Sequence, residues 1–282
     1  MLVQYYKYVA SLLKKIKLPY LVTVVIAGSF LLVFLLPTKE DVGEGINTIL
    51  GVVGLLFAIL VGFFITDLWS RFQKIRDSVA TEVSGLQTYY LFTQILGDFP
   101  QHKEWAKKQQ ELIDRYVREF FAVEWQDYGK IDPHFNAIIQ SLGDVKELKT
   151  NKEVETYTNF LPLLNEITTA RERLFMYGKD RLSKLEWMVV LFLSLILVFS
   201  IFFVRTPDLP SLFLTGTLIS TVAILLLILR DLDDLSFGED MVSFEPYETI
   251  FDVIGKPRFY LKRDIKSGRV KPPKSEEYRV GD

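Results

Sequence analysis

Four stretches of the chain are almost purely apolar, and the charged residues are gathered between them. The runs cover Leu18 to Leu36, Ile46 to Trp69, Leu185 to Val204 and Ser211 to Leu229. A helix needs roughly 20 apolar residues to cross a bilayer, so the pattern predicts four spans. The second run ends without a break. At Asp67-Leu-Trp-Ser-Arg-Phe72 it passes from membrane-grade hydrophobicity into a charged helical pattern that continues towards Gly97. Two short polar turns, Pro37 to Gly45 and Arg205 to Pro210, join the spans in pairs.

The long interval Phe72 to Ser183 reads as helical throughout. Pro100 stands at a first-turn position and opens a helix with Leu112, Tyr116, Phe120 and Val123 on one face. Gly129 and Pro133 break that helix, and a shorter one follows from Phe135 to Leu148. Thr150 or Asn151 caps a further long helix, which Pro162 kinks or divides and which is expected to run through Leu182 into span three. No strand-like alternation of useful length is present. Gly255 to Asp282 is basic, contains prolines and predicts a disordered tail or one wrapped on a neighbouring subunit.

The fold class is therefore an all-α integral membrane protein, with four transmembrane helices and a helical cytosolic domain formed partly by extensions of spans two and three. The boundaries fall at 1–17 for an aromatic and basic interfacial segment, 18–69 for spans one and two, and 70–183 for the cytosolic domain. Residues 184–230 hold spans three and four, and 231–282 an acidic loop and a basic tail. The first apolar run follows lysines, as in a signal peptide, but it lacks an Ala-x-Ala cleavage site and is read as a retained span.

Charge sets the orientation. Lys14, Lys15 and Lys17 precede span one, Arg71, Lys74 and Arg76 follow span two, Lys179, Arg181 and Lys184 precede span three, and Arg230 follows span four. The two opposite loops carry only Lys39 and Arg205. The positive-inside rule places both termini and residues 72–183 in the cytosol. The short tail and the lack of a transit peptide favour a bacterial inner membrane. A net charge of −2 argues against nucleic acid as a partner. No cysteine and two histidines, His102 and His134, exclude thiolate chemistry and a His-rich metal centre. No nucleophile–base pair, phosphate loop or zinc motif is present, so nothing points to an enzyme.

Two motifs carry a family resemblance. Leu60-Val-Gly-Phe-Phe-Ile-Thr-Asp-Leu-Trp-Ser-Arg-Phe72 resembles the second helix of bestrophins, matching at Gly62, Phe63, Thr66, Ser70, Arg71 and Phe72, and then Arg76. After span four, Leu235-Ser-Phe-Gly-Glu-Asp-Met-Val-Ser-Phe-Glu245 resembles the family's Asn-Pro-Phe-Gly-Glu-Asp segment through Phe237, Gly238, Glu239 and Asp240. The Glu124-Trp125 pair is closer to the bacterial bestrophin-like subgroup. The resemblance implies a homopentamer that conducts small inorganic ions passively, with the second helix lining the pore. It also implies an apolar neck, which counts onto Leu55, Ile59 and Phe63. Apolar rings of this kind gate by dewetting.

Thr66 and Asp67 then fall at the pore mouth. A ring of Asp67 carboxylates would favour cations, although by helix angle Thr66 points closer to the neck direction than Asp67 does. The alternative for Asp67 is a pair with Arg71 at i+4. Arg71 and Arg76 read as interfacial anchors, paired with Glu82 or other carboxylates, rather than as anion binders. Bestrophins hold Ca²⁺ near the acidic segment. Here Asp231, Asp233, Asp234, Glu239, Asp240 and Glu245 supply oxygens, but Asp240 keeps one acidic position while Ser243 replaces another. The expectation is no cofactor, with Asp240 the calcium candidate. Glu124, Trp125, Tyr128 and the Phe120–Phe121 pair are read as core before ligand pocket. The functional alternative to a channel is a membrane-anchored interaction or sensory protein with no pore.

Overall fold

A computed structural model describes residues 18–35, 44–122, 129–235, 245–266, 272 and 277–281. Ten helices account for most of it: α1 (Leu18–Leu35), α2 (Glu44–Gly97), α3 (Lys103–Ala122), α4 (Asp132–Gln140), α5 (Asn151–Thr158), α6 (Phe160–Lys179), α7 (Lys184–Val204), α8 (Leu209–Asp233), α9 (Glu245–Val253) and α10 (Lys262–Lys266). Two short strands, β1 (Arg258–Leu261) and β2 (Tyr278–Gly281), pair in parallel with Arg258 opposite Tyr278. The structure is about 85% helical, which fits the all-α class. Among the described residues, three helices are long and apolar enough to cross a membrane: Thr48–Gly97 within α2, α7 and α8. In α1 the apolar stretch Val22–Leu35 is shorter.

The chain divides into two compact units. The apolar unit comprises residues 1–72 and 181–241. Its core is made by Phe57, Val61, Phe64 and Leu68 of α2, Val190, Leu197 and Ile201 of α7, and Val222, Leu229 and Leu232 of α8. The α2 positions recur at intervals of three and four and so form one helical face. α1 runs along α8, where Gly216 leaves room for Phe30, whose ring also meets Phe213 at 5.7 Å. Arg205 donates to the Val33 carbonyl at 2.8 Å and so satisfies one of the unpaired acceptors at the end of α1.

The polar unit comprises residues 73–180 and 242–282. α2 approaches α6 closely there, because a Cβ on Gly85 would lie 2.5 Å from Cγ1 of Ile167. α3 opens after a turn of 3₁₀ helix begun by Pro100, as its fixed φ favours. Thr150 caps α5 in a full capping box with Glu153.

Three sequence expectations need correction. The helix begun at Thr150 does not run into the third span. It divides at Asn159 and ends at Lys179; Asp180 is extended, and Ser183 starts α7 with its own capping box to Glu186. Two reciprocal hydrogen bonds at Ser183 make a fresh helix start there more favourable than a continuous rod. The short helix predicted to Leu148 stops at Gln140, followed by 3₁₀ turn at Ser141–Asp144. The basic tail is not structureless where it is described: β1, α10 and β2 are ordered elements within the polar unit. Arg279 makes a two-pronged pair with Asp114 of α3 at 2.6 and 2.9 Å, and Arg263 donates to the Phe121 carbonyl at 3.2 Å.

Candidate permeation face and the junctions that hold it

The α2 residues predicted to form the neck face away from their own bundle. Leu55 and Ile59 are each 62% exposed and Phe63 is 65% exposed, whereas Phe64 is 6% exposed and belongs to the core. At 100° per residue, Leu55, Ile59 and Phe63 step by about 40° each, so their mean direction is that of Ile59. The core residues Phe57, Val61, Phe64 and Leu68 centre on about 170° from it. One helix therefore carries two apolar faces, one that packs the core of the apolar unit and one that the chain leaves bare.

The bare face continues past Phe63 and changes chemistry. Gly62, Thr66, Asp67 and Ser70 are all exposed. The Thr66 hydroxyl donates to the Gly62 carbonyl at 2.8 Å, satisfying its proton within the helix. By the same count Thr66 lies about 20° from the neck direction and Ser70 about 20° on the other side, while Asp67 lies about 80° away on the flank. Phe72 is buried and its ring meets that of Trp69 at 5.4 Å. Arg76 is exposed.

Arg71 is 4% exposed, and its Nη1 donates to the backbone carbonyl of Asp233 at 3.2 Å. The Asp233 carboxylate in turn accepts from the Leu182 amide at 2.8 Å and from the Trp187 indole Nε1 at 3.2 Å. Arg181 and Asp234 close the same end at 2.9 Å. Asp231 is held by its neighbour Arg230 through two bonds of 2.6 and 2.8 Å. The end of α8, the start of α7 and the middle of α2 are thus joined through one aspartate. The sequence reading placed Asp231, Asp233 and Asp234 in a loop with calcium-ligand chemistry. They instead terminate α8, with Leu235 in the left-handed region at φ 52° as a helix-end residue. Their oxygens are committed to arginine, indole and amide donors, and no cluster of acidic or histidine side chains among the described residues is arranged for a metal ion. Phe237, Gly238, Glu239 and Asp240, and with them the calcium candidate, lie outside the described residues, as do Glu124, Trp125 and Tyr128.

The polar unit has its own buried centre. Glu82 of α2 is fully buried and accepts from the hydroxyls of Tyr116 and Tyr247, the latter at 2.6 Å. Arg171 approaches Glu82 at 3.4 Å, bonds the Tyr116 hydroxyl and reaches Asp132 at 2.6 Å. Its guanidinium also lies 4.3 Å from the Phe135 ring centroid. Five helices, α2, α3, α4, α6 and α9, contribute to this cluster. Burial raises the Tyr247 phenol well above its ordinary pKa, and the Glu82 charge raises it further, so it remains a hydrogen-bond donor. Phe120 and Phe121 are core residues, Phe120 stacking on Tyr247 at 3.8 Å. A second buried pair, His102 Nε2 and Glu153 Oε1 at 3.1 Å, lies behind the cap of α5.

From sequence alone Glu82 is visible only as a partner for nearby arginines. Its tyrosines and Arg171 lie far along the chain, and no periodicity links them. A family model described as Bestrophin-like domain matches residues 18–239, which is most of the chain. No curated protein and no solved structure matches it.

Proposed function

The chain belongs to the bestrophin-like family, and from that premise we propose that it is a ring-forming membrane channel that conducts small inorganic ions passively. α1, α2, α7 and α8 are its four spans, and α2 of each protomer lines the pore. Leu55, Ile59 and Phe63 form the apolar neck, and Thr66 begins the wider mouth, with Asp67 on its flank. The ring is a homopentamer. Both termini and the polar unit lie in the cytosol of a bacterial cell, and no cofactor is required.

The observation that supports this reading is the bare face of α2. Beside the stripe it buries against its own bundle, α2 aligns a second, bare stripe that passes from Leu55, Ile59 and Phe63 to Thr66 and Ser70, the positions of the family's second-helix motif. A ring of such helices places the second stripe on the axis. Apolar rings there empty of water readily and so form a gate. Arg71, Ser70 and Phe72, the family motif, sit where the helix leaves the apolar unit, and Arg71 fixes its register against α8.

Native mass spectrometry of the purified protein in detergent is expected to give a single closed ring. Planar-bilayer recordings are then expected to show unitary currents that increase when Leu55, Ile59 or Phe63 is changed to alanine. A monomer, or a ring that passes no current in any of these forms, sinks the channel reading and leaves a membrane-anchored interaction protein in its place.

A further inference from the structure

We infer that Asp77, and not Asp67, is the residue that makes this pore select cations. The inference rests on the pore reading above and adds to it the class of permeant ion. It follows from the register of α2 counted beyond the neck. At 100° per residue Asp77 returns to the mean direction of Leu55, Ile59 and Phe63, about four turns further along the helix. Asp67 lies about 80° off that direction. The side chains between the neck and Asp77 on this face are Thr66, Ser70 and Gln73. The wall therefore passes from apolar to hydroxyl and amide, and then to carboxylate.

The basic residues of the same stretch avoid this face. Arg71 is buried and donates to the Asp233 carbonyl. Lys74 lies on the flank with its ammonium 5.6 Å from the Tyr177 ring centroid. Arg76, one residue before Asp77, is turned about 100° from it. Within about 40° of the neck direction no lysine or arginine occurs anywhere from Glu44 to Gly97. Asp77 is exposed, and among the described residues its carboxylate has no hydrogen-bond or ion-pair partner; only its backbone carbonyl is used, by the Thr81 hydroxyl at 2.9 Å. An unneutralised carboxylate repeated around an axis, in a wall free of positive charge, raises the local cation concentration and repels anions.

The test is the reversal potential of the full-length channel under a KCl gradient in planar bilayers. Wild type is expected to favour K⁺. Asp77→Asn is expected to lower the K⁺ over Cl⁻ permeability ratio several-fold, Asp77→Glu to retain it, and Asp67→Asn to lower it far less than Asp77→Asn does. A conducting channel whose reversal potential ignores Asp77→Asn, or follows Asp67→Asn as strongly, overturns this inference and leaves the channel reading intact. Wild-type preference for Cl⁻ overturns it too. Absence of a ring or of any current removes both together.

Discussion

The Tyr247 hydroxyl donates to Glu82 across 2.6 Å in the buried centre of the polar unit. Tyr247 lies on α9, just after the segment that follows the last span, and Glu82 lies on α2. The bond therefore ties the start of the carboxyl-terminal elements to α2. Tyr247→Phe keeps the ring and its stacking on Phe120 but deprives a buried carboxylate of a donor. A hydrogen bond to a charged group contributes about 1.5–3 kcal/mol. The variant should unfold at lower denaturant and show faster amide exchange across α9; unchanged exchange there would show that the bond does not hold α9.

Phe63 and Phe64 are neighbours with opposite duties. Burial of Phe64 in the apolar core predicts that Phe64→Ala costs about 3–5 kcal/mol of protomer stability. Phe63→Ala is predicted to cost little, because the protomer does not pack against it. Thermal melts of the two variants in detergent measure the difference, and equal losses would contradict the two-faced description of α2.

Gly85 tests the contact between α2 and α6. Alanine gains about 1 kcal/mol over glycine inside a helix, but here its methyl would overlap Cγ1 of the β-branched Ile167. Overpacking costs about 1–3 kcal/mol, so the clash prevails and Gly85→Ala is destabilising. The double change Gly85→Ala with Ile167→Ala, which removes the clashing Cγ1, should cost less than the sum of the two single changes. Additive losses would mean that the helices separate rather than collide.

Asp233 should behave as a structural joint and not as a metal ligand. Asp233→Ala removes acceptors from the Leu182 amide and the Trp187 indole, leaving two partly buried donors without their partner. The expected result is a lower melting temperature that added CaCl₂ neither causes in the variant nor reverses. Calcium-dependent stabilisation of wild type that disappears in Asp233→Ala would refute this.

Glu153 gives the polar unit an acid-sensitive point. Burial alone would raise its carboxyl pKa. The amides of Lys149 and Thr150, the Thr150 hydroxyl and the His102 ring outweigh that and lower it. A carboxylate with a depressed folded pKa contributes stability that is present above its unfolded value near 4.3 and is lost as pH falls through the folded one. Denaturation midpoints should fall between pH 5 and the acid limit, and Glu153→Gln should flatten that dependence. An identical slope in the variant would assign the acid sensitivity elsewhere.

Much of the apolar unit was legible because hydrophobic runs and helical periodicity are local signals. The start at Pro100 and the cap at Thr150 both follow from neighbours within a turn or two. What escaped is what depends on distant partners. Glu82 meets Tyr116, Arg171 and Tyr247 only once the polar unit has folded. The tail's β1 and β2 are four-residue strands separated by a long gap, and basic composition hides them. Asp231, Asp233 and Asp234 looked like a ligand cluster because their arginine and tryptophan partners were not adjacent in an obvious motif. The break at Asp180–Ser183 was missed although Ser183 and Glu186 have capping-box spacing, because the charged residues around them read as helix.

The two-faced build of α2 separates two kinds of inheritance within one helix. Phe57, Val61, Phe64 and Leu68 are answerable to the fold, while Leu55, Ile59, Phe63, Thr66 and Asp77 are answerable only to what lies outside the protomer. Lineages of this protein can therefore drift in the second set without passing through an unfolded ancestor. A change on the packed side is read out first as lost stability, whereas a change on the bare side, where Gly62, Phe63, Thr66 and Ser70 lie, leaves the fold standing and alters what that face can do.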